Sequence, residues 1–317
     1  MPAAQRITVV VPTLGMSPHL DDCLAALRRE GDPRELAVVV VAQGGSRPPI
    51  PQGIAVNLIR LGGNHGFAAA TNLGWAAARG EYLATVNDDA VVEPGWLTTL
   101  TAVLDATPRA AAAQGAVVRL DRPGEADGAG IGWNRWWQAV QVGRGDPPPD
   151  LAAPTAEVFG VAATAALYRR RALVEVALGK AAGGAAFDPR LRSYYEDVEL
   201  AGRLRAAGWS ALAVPGARCR HAGSVTGDRL GRERLRLLYG NRHLVLARLL
   251  GRRYPAVLPR ALTRDLLDLA GALLHGDAHR ATGIVAGLGR AVARLPRFAR
   301  AGAPAVPAPE LARFRVG

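Results

Sequence analysis

Tyr82-Leu83-Ala84-Thr85-Val86-Asn87-Asp88-Asp89 decides how this chain is read. Its first five residues make a short buried strand, and the strand hands three polar residues to its C-terminal end. In an open α/β sheet, ligands bind outside the carboxyl ends of the strands. Asn87, Asp88 and Asp89 therefore mark one half of a ligand crevice. Just upstream, Asn64-His65-Gly66-Phe67 leads into a small-residue helix over 67–78, which Arg79-Gly80 closes before the strand begins.

Working outward, Ile7-Thr8-Val9-Val10-Val11 is a continuous β-branched run ended by Pro12-Thr13, the pattern of a central parallel strand. A helix over 18–29, a strand over 37–42 closed by Gly44-Gly45-Ser46, and a short strand over 55–60 follow. Strands alternating with helices predict a doubly wound, mostly parallel sheet. Further on, a helix is expected over 97–106 and a strand over 113–120. A Gly- and Pro-rich stretch over 121–150 carries Trp133, Trp136 and Trp137, which either pack on the sheet or line a substrate. A strand over 157–168, a helix over 169–176, and an amphipathic helix entered through Tyr194-Tyr195-Glu196-Asp197 come next. That helix stops at Gly208, a strand covers 209–214, and a loop carries His221. From residue 229 the chain reads as helical, with breaks at Pro255, Pro259 and Pro296, and 301–317 reads as a flexible, Pro- and Ala-rich tail.

The 317 residues are 49% apolar, yet no run approaches the roughly 18 to 20 residues a membrane span needs. Two cysteines, Cys23 and Cys219, form no disulfide framework, and Met1 to Arg6 lead straight into a strand with no secretory signal. These features predict a cytoplasmic protein. The net charge of +12 lies wholly beyond residue 228, where 17 arginines and no lysine face five acids. Such a stretch can hold nucleic acid, an anionic membrane surface or an anionic substrate, or can be a solvated face.

Several residues carry candidate chemistry. Asp88 and Asp89 at a strand end suit a divalent cation, since Mg²⁺ and Mn²⁺ prefer oxygen ligands; the alternative is a solvated turn. Asp197 sits where an N-cap belongs, but beside Glu196 it can also serve as a general base. His221 is a lone histidine that is either structural or completes a mixed oxygen and nitrogen metal site. Gly62-Gly63-Asn64-His65-Gly66 lacks both the Lys-Ser/Thr ending of a P-loop and the spacing of a dinucleotide fingerprint. No Gly-x-Ser-x-Gly elbow occurs, so nucleophilic catalysis has no support.

Taken in order, these pieces resemble a family 2 glycosyltransferase with a GT-A fold, rhamnosyltransferase-like in pattern. The resemblance rests on Val9-Val10-Val11-Pro12-Thr13, Asn64-His65-Gly66-Phe67-Ala68 with Asn72-Leu73-Gly74, and Gly80-Glu81-Tyr82-Leu83. It continues through Asn87-Asp88-Asp89 with Pro94-Gly95-Trp96-Leu97, Phe187-Asp188-Pro189, Tyr195-Glu196-Asp197-Val198-Glu199-Leu200 with Gly208-Trp209, and His221 with Ser224. It implies a GT-A domain over 1–228, a basic helical extension over 229–300, and inverting sugar transfer from a UDP- or dTDP-sugar, such as dTDP-rhamnose.

The resemblance also assigns roles. Pro12, Thr13, Gln43, Asn64, Gly66, Phe67, Asn72, Asn87 and Asp88 would bind the nucleotide. Asp89 and His221 would hold Mg²⁺ or Mn²⁺, and Asp197, with Glu196 beside it, would be the base. Gln43 replaces the aspartate usual at the end of the second strand; its amide can bond a pyrimidine edge through both groups. Asn87 replaces the first acid of the Asp-x-Asp motif. The implied acceptor is a saccharide or a lipid-linked saccharide, which would bring the extension to the inner face of the plasma membrane, or the extension could form a homodimer. The rival readings are a GT-A-like sugar nucleotidyltransferase and a non-enzymatic nucleic-acid or membrane binder acting through the arginines.

Overall fold

The computed structural model describes residues 6–31, 35–45, 48–50, 56–179, 184–223, 225–299, 306 and 308–316. Ser46, Ala55, Ser224 and residues 301–305 lie outside the described residues. The first half follows the sequence pattern: β1 (Ile7–Thr13), α1 (Leu20–Arg28), β2 (Leu36–Ala42), β3 (Asn57–Arg60), α2 (Phe67–Ala76) and β4 (Tyr82–Val86). β1 pairs in parallel with β2 and β4, and β2 with β3, so the strand order is β3-β2-β1-β4. Both faces of β1 and β4 are covered, which is why they read as unbroken apolar runs.

Next come β5 (Ala90–Val92), α3 (Trp96–Ala106), β6 (Ala110–Arg119), β7 (Ala126–Gly128), β8 (Ile131–Trp133), β9 (Ala139–Gln141), β10 (Ala156–Val158) and β11 (Ala165–Arg169). They are followed by α4 (Arg170–Glu175), α5 (Glu196–Ala206) and β12 (Ser210–His221). In this half the sheet becomes mixed. β11 lies between β4 and β6 and is antiparallel to both, while β12 runs parallel to β6. The strand expected over 157–168 is thus two strands, because the chain must turn between the outer edge and the centre of the sheet. β12 reaches His221, well past the expected end at 214. A register shift between Val214 and Arg218 absorbs Pro215-Gly216, which reads locally as a stop. His221 therefore ends a strand and is not on a loop.

The C-terminal quarter is α6 (Val225–Leu250), a single 3-10 turn (Gly251–Arg253), α7 (Tyr254–Leu274), α8 (Ala278–Ala299) and α9 (Ala308–Arg313). Of the expected proline breaks, the one at Pro255 occurs: α6 gives way through the 3-10 turn, with Gly251 at φ +53°, and Pro255 sits in the first turn of α7. Those at Pro259 and Pro296 do not, since both lie inside helices, each at the cost of one backbone hydrogen bond. The boundary placed at 228/229 falls within α6, which is kinked at Gly231 (φ 47°, ψ −118°).

Apolar clusters cover both faces of the sheet. A third cluster joins Trp133, Phe159 and Val198 to Leu244, Val245 and Leu249 of α6. The described part of the tail packs into that third cluster, contrary to the flexible reading. Val306, Leu311 and Phe314 are buried, and Trp133 exchanges backbone hydrogen bonds with Phe314 and Val316 at 2.9 Å each. Pro and Ala content describes the chain's intrinsic stiffness and polarity, and these three apolar side chains override it.

The contact between α5 and α6 is close at Gly202, where an added Cβ would run into the Leu249 side chain. Gly202→Ala gains about 1 kcal/mol of helix propensity, but overpacking costs about 1–3 kcal/mol. A net loss of stability is expected by urea denaturation, and a stabilised variant would contradict the close packing of α6 on the sheet domain.

Candidate active site

The parallel strands end together on one edge of the sheet. β1 delivers Pro12 and Thr13, β2 is followed by Gln43, and β4 by Asn87, Asp88 and Asp89. The register of β1 against β4 brings the Thr13 hydroxyl to Asp88, where Oγ1 donates to Oδ2 at 2.5 Å. Ser17 Oγ donates to the Asp88 carbonyl at 2.9 Å, and Asn87 N donates to Thr164 O at 2.8 Å. Asp88 is only 6% exposed. Burial raises its pKa to about 6, against the lowering effect of the Thr13 hydrogen bond, and neighbouring Asp89 raises it too.

These residues line a cleft of about 1190 Å³, together with Gln43, Asn64 and Phe67. Gln43 Oε1 already accepts the His65 N–H at 2.9 Å, so what the side chain offers the cleft is its Nε2 donor rather than both amide groups. Two expected nucleotide residues do not line the cleft. Asn72 turns away and clamps a distant backbone, its Nδ2 donating to Phe187 O at 2.8 Å and its Oδ1 accepting Phe187 N at 3.0 Å. Gly66 has φ +90° and lies against Arg192, where a Cβ would sit 2.7 Å from the carbonyl oxygen. Its absent side chain permits a backbone contact.

The tryptophans pack as well. Trp133 and Trp137 are buried in the third apolar cluster, and Arg135 stacks over Trp136 at 4.9 Å. Their neighbours Asn134 and Gln138 face the cleft instead.

The Asp89 side of the cleft is completed by strand pairing. β5 and β12 are antiparallel with His221 opposite Ala90, and Ala222 N donates to Asp89 O at 3.0 Å. His221 Nε2 thus lies 3.2 Å from Asp89 Oδ1, and Nδ1 is 2.8 Å from Asp127 Oδ2. Burial disfavours charge on the imidazole, but the two carboxylates outweigh it and raise its pKa to about 9. Asp127, on β7, was not apparent in the sequence. It sits in a Gly- and Pro-rich stretch that reads as loop, and only the pairing of β7 with β6 brings it to the histidine. A carboxylate on the second ring nitrogen is the usual support of a metal-ligating histidine. Among the described residues no three His, Cys, Asp or Glu side chains converge as a closed metal site. One carboxylate oxygen and one imidazole nitrogen fit a divalent cation that takes its other ligands from water and phosphate.

Glu196 and Asp197 line the same cleft. α5 begins at Glu196, after Tyr195 in the left-handed region, so Asp197 is the second helical residue rather than the N-cap. Asp197 Oδ1 accepts Val198 N at 2.8 Å and Oδ2 accepts Ala163 N at 3.3 Å. Burial raises the pKa of both carboxyls, and the charge of Asp197 raises that of Glu196 further. Glu196 Oε2 is buried with no hydrogen-bond partner among the described residues.

A parallel half-sheet, a mixed second half and a carboxylate-lined cleft at the strand ends define the class as a GT-A glycosyltransferase. The family model for glycosyl transferase family 2 matches residues 8–176, and the chain belongs to that family. A relative from Mycobacterium tuberculosis, named N-acetylglucosaminyl-diphospho-decaprenol L-rhamnosyltransferase, is 31% identical over 250 residues, covering 68% of this chain and 75% of its own. The structure of S. aureus TarS 1-349 superposes with a TM-score of 0.56 at 17% identity, covering 93% of this chain and 82% of that one. GalNAc-T7, solved with UDP, GalNAc and Mn2+, gives 0.60 at 15% identity over 80% and 50%. The chain is therefore an enzyme that transfers a sugar, and the nucleotidyltransferase and non-enzymatic readings fall.

The position of Asn72 yields a test. Asn72→Ala leaves the Phe187 amide and carbonyl unpaired and is expected to cost about 1–3 kcal/mol in chemical denaturation, with nucleoside diphosphate affinity unchanged by calorimetry. A selective loss of nucleotide affinity at unchanged stability would return Asn72 to the binding site.

Proposed function

We propose that this protein is an inverting rhamnosyltransferase-type enzyme that moves a sugar from a dTDP- or UDP-sugar, dTDP-rhamnose foremost, to a hydroxyl of a lipid-linked saccharide. The observation that carries this is the cleft itself, which Asp88, Asp89 and His221 line together with Glu196 and Asp197. The L-rhamnosyltransferase name of the relative supports the donor sugar, and its diphospho-decaprenol substrate supports the acceptor class.

In this reading the nucleoside diphosphate lies over the strand ends at Pro12, Thr13 and Asn87, with Gln43 Nε2 donating to a carbonyl of the pyrimidine. Mg²⁺ or Mn²⁺ fits Asp89 Oδ1 and His221 Nε2, the same fold holds Mn2+ in GalNAc-T7, and such a cation when bound supplies positive charge beside the leaving diphosphate. Asp127 keeps the imidazole oriented. Asp197 accepts the proton of the acceptor hydroxyl, whose oxygen forms the new bond to the anomeric carbon. The bond from that carbon to the diphosphate oxygen breaks on the opposite face, the nucleoside diphosphate departs, and the configuration inverts. The neighbouring Glu196 shares the buried site, and the charge of Asp197 holds its carboxyl above the usual range.

Asp197→Asn is expected to lose about 10² to 10⁴ in kcat while dTDP or UDP still binds by calorimetry in the presence of Mn²⁺; a wild-type rate sinks the base assignment. The raised pKa of Asp197 sets a second expectation. A base must be deprotonated, so kcat falls on acidification through a pKa above the ordinary carboxylate range, and the acid limb of the pH profile lies closer to neutrality than an exposed aspartate would place it.

A lipid-linked acceptor calls for an enzyme that works at a membrane surface. No described helix is long and apolar enough to cross a membrane. α7, however, turns Asp265 and Asp268 inward and Leu266, Leu267, Leu273 and Leu274 outward, the last 85% exposed. Arg252, Arg253 and Arg260 are exposed nearby in the chain, as an interfacial helix on anionic lipid requires. Flotation with anionic vesicles at low salt is expected to carry the protein, and Leu267→Glu with Leu274→Glu to release it. Wild-type protein left at the bottom of the gradient would refute the membrane placement.

A further inference from the structure

The segment that delivers Glu196 and Asp197 is held in an unusual conformation. Arg192, Tyr194 and Tyr195 have φ values of 67°, 67° and 68°, a region that non-glycine side chains seldom adopt. Such a turn persists only when its surroundings over-determine it. Here the constraint comes from far along the chain. Asn241 of α6 is fully buried, and its Nδ2 donates to three carbonyls of the turn, Leu191 O at 2.8 Å, Ser193 O at 3.0 Å and Tyr194 O at 2.9 Å. Its Oδ1 accepts Arg290 Nε at 3.1 Å from α8, and Arg290 Nη2 donates to Arg190 O at 2.9 Å. Arg290 thereby fixes which end of the carboxamide faces the turn.

The same turn also fixes the donor wall. Phe67 N donates to Ser193 Oγ at 3.1 Å and Ala68 N to Arg192 O at 2.8 Å, at the start of α2. Phe67 and Asp197 both line the cleft, so one turn sets the spacing between a donor-side residue and the acceptor-side carboxylate.

We propose that Asn241 is a positioning residue for sugar transfer: its carboxamide, oriented by Arg290, holds the turn at residues 191–194 so that Asp197 faces the cleft beside the donor. The proposal rests on the reading of Asp197 as base. It makes α6 and α8, which lie outside the 8–176 family match, part of the catalytic apparatus.

The test compares wild type, Asp197→Asn, Asn241→Ala and Asn241→Asp. The last keeps the volume of the side chain and the acceptor for Arg290 but removes both hydrogens that reach the turn. Rates are measured with dTDP-L-rhamnose and N-acetylglucosaminyl-diphospho-decaprenol, and amide exchange by mass spectrometry is followed over residues 191–198. Both Asn241 variants are expected to lose about 10²-fold in kcat with donor KM unchanged, and to exchange faster over 191–198 while the strands β1 to β4 keep wild-type protection. Asp197→Asn is expected to lose turnover with no change in exchange. A folded Asn241→Asp with wild-type kcat and wild-type exchange overturns the proposal. If Asp197→Asn is fully active, the base reading fails instead, and the exchange data still decide whether Asn241 holds the turn. A loss confined to donor KM, or a uniform rise in exchange across the whole chain, shows a merely structural role and also overturns it.

Discussion

The ladder between β5 and β12 is the constraint on which the site depends. It sets His221 opposite Ala90, one residue after the carboxylate that the imidazole meets, and so closes a cleft wall from residues 132 positions apart. The ladder exists only because β12 continues past Pro215-Gly216 through a bulge. A strand ending at Val214 would leave both Asp89 and Asp127 without the histidine that joins them. The antiparallel insertion of β11 between β4 and β6 does comparable work, since it brings Ala163 and the loop before it to Asp197.

Charge is used differently from what a count suggests. Several C-terminal arginines are spent inside the molecule. Arg248 Nη1 lies 2.7 Å from both Asp188 and Glu199, and Glu199 also holds Arg203 at 2.8 Å. Arg242 and His243 both meet Asp265, and Arg242 reaches the carbonyls of Trp136 and Trp137. Breaking a buried pair leaves an uncompensated charge, so these contacts weld the helical quarter to the sheet domain more by what their loss would cost than by what they gain. The inward aspartates of α7 belong to the same economy, because cations behind the helix draw its carboxylates in and leave its leucines outside.

The sequence was legible wherever a local pattern carries the physics. The β-branched runs of β1 and β2, the strand at 82–86 with its polar end, and the helix before it were all readable, because burial on both faces leaves an unbroken apolar signature. The proximity of Asp88 and Asp89 to the cleft followed from strand polarity alone. Local signals misled where a long-range contact overrides them. Pro215-Gly216 reads as a stop, Pro259 and Pro296 read as breaks, the described residues 306 and 308–316 read as part of a flexible tail, and Asp127 reads as part of a Gly- and Pro-rich loop.

What the sequence by itself determined is the parallel half-sheet, the carboxylates at its edge and the family to which the chain belongs, since each is written in contiguous residues. Only the tertiary structure decided which of those residues face the cleft. It turned Asn72 and the tryptophans away, committed one amide group of Gln43 to His65, paired His221 with Asp127, and set Asn241 against the turn before Asp197. The physical reason is that hydrogen bonds between residues tens to more than a hundred positions apart have no period and no spacing in the chain; they appear only when packing has fixed which surfaces meet.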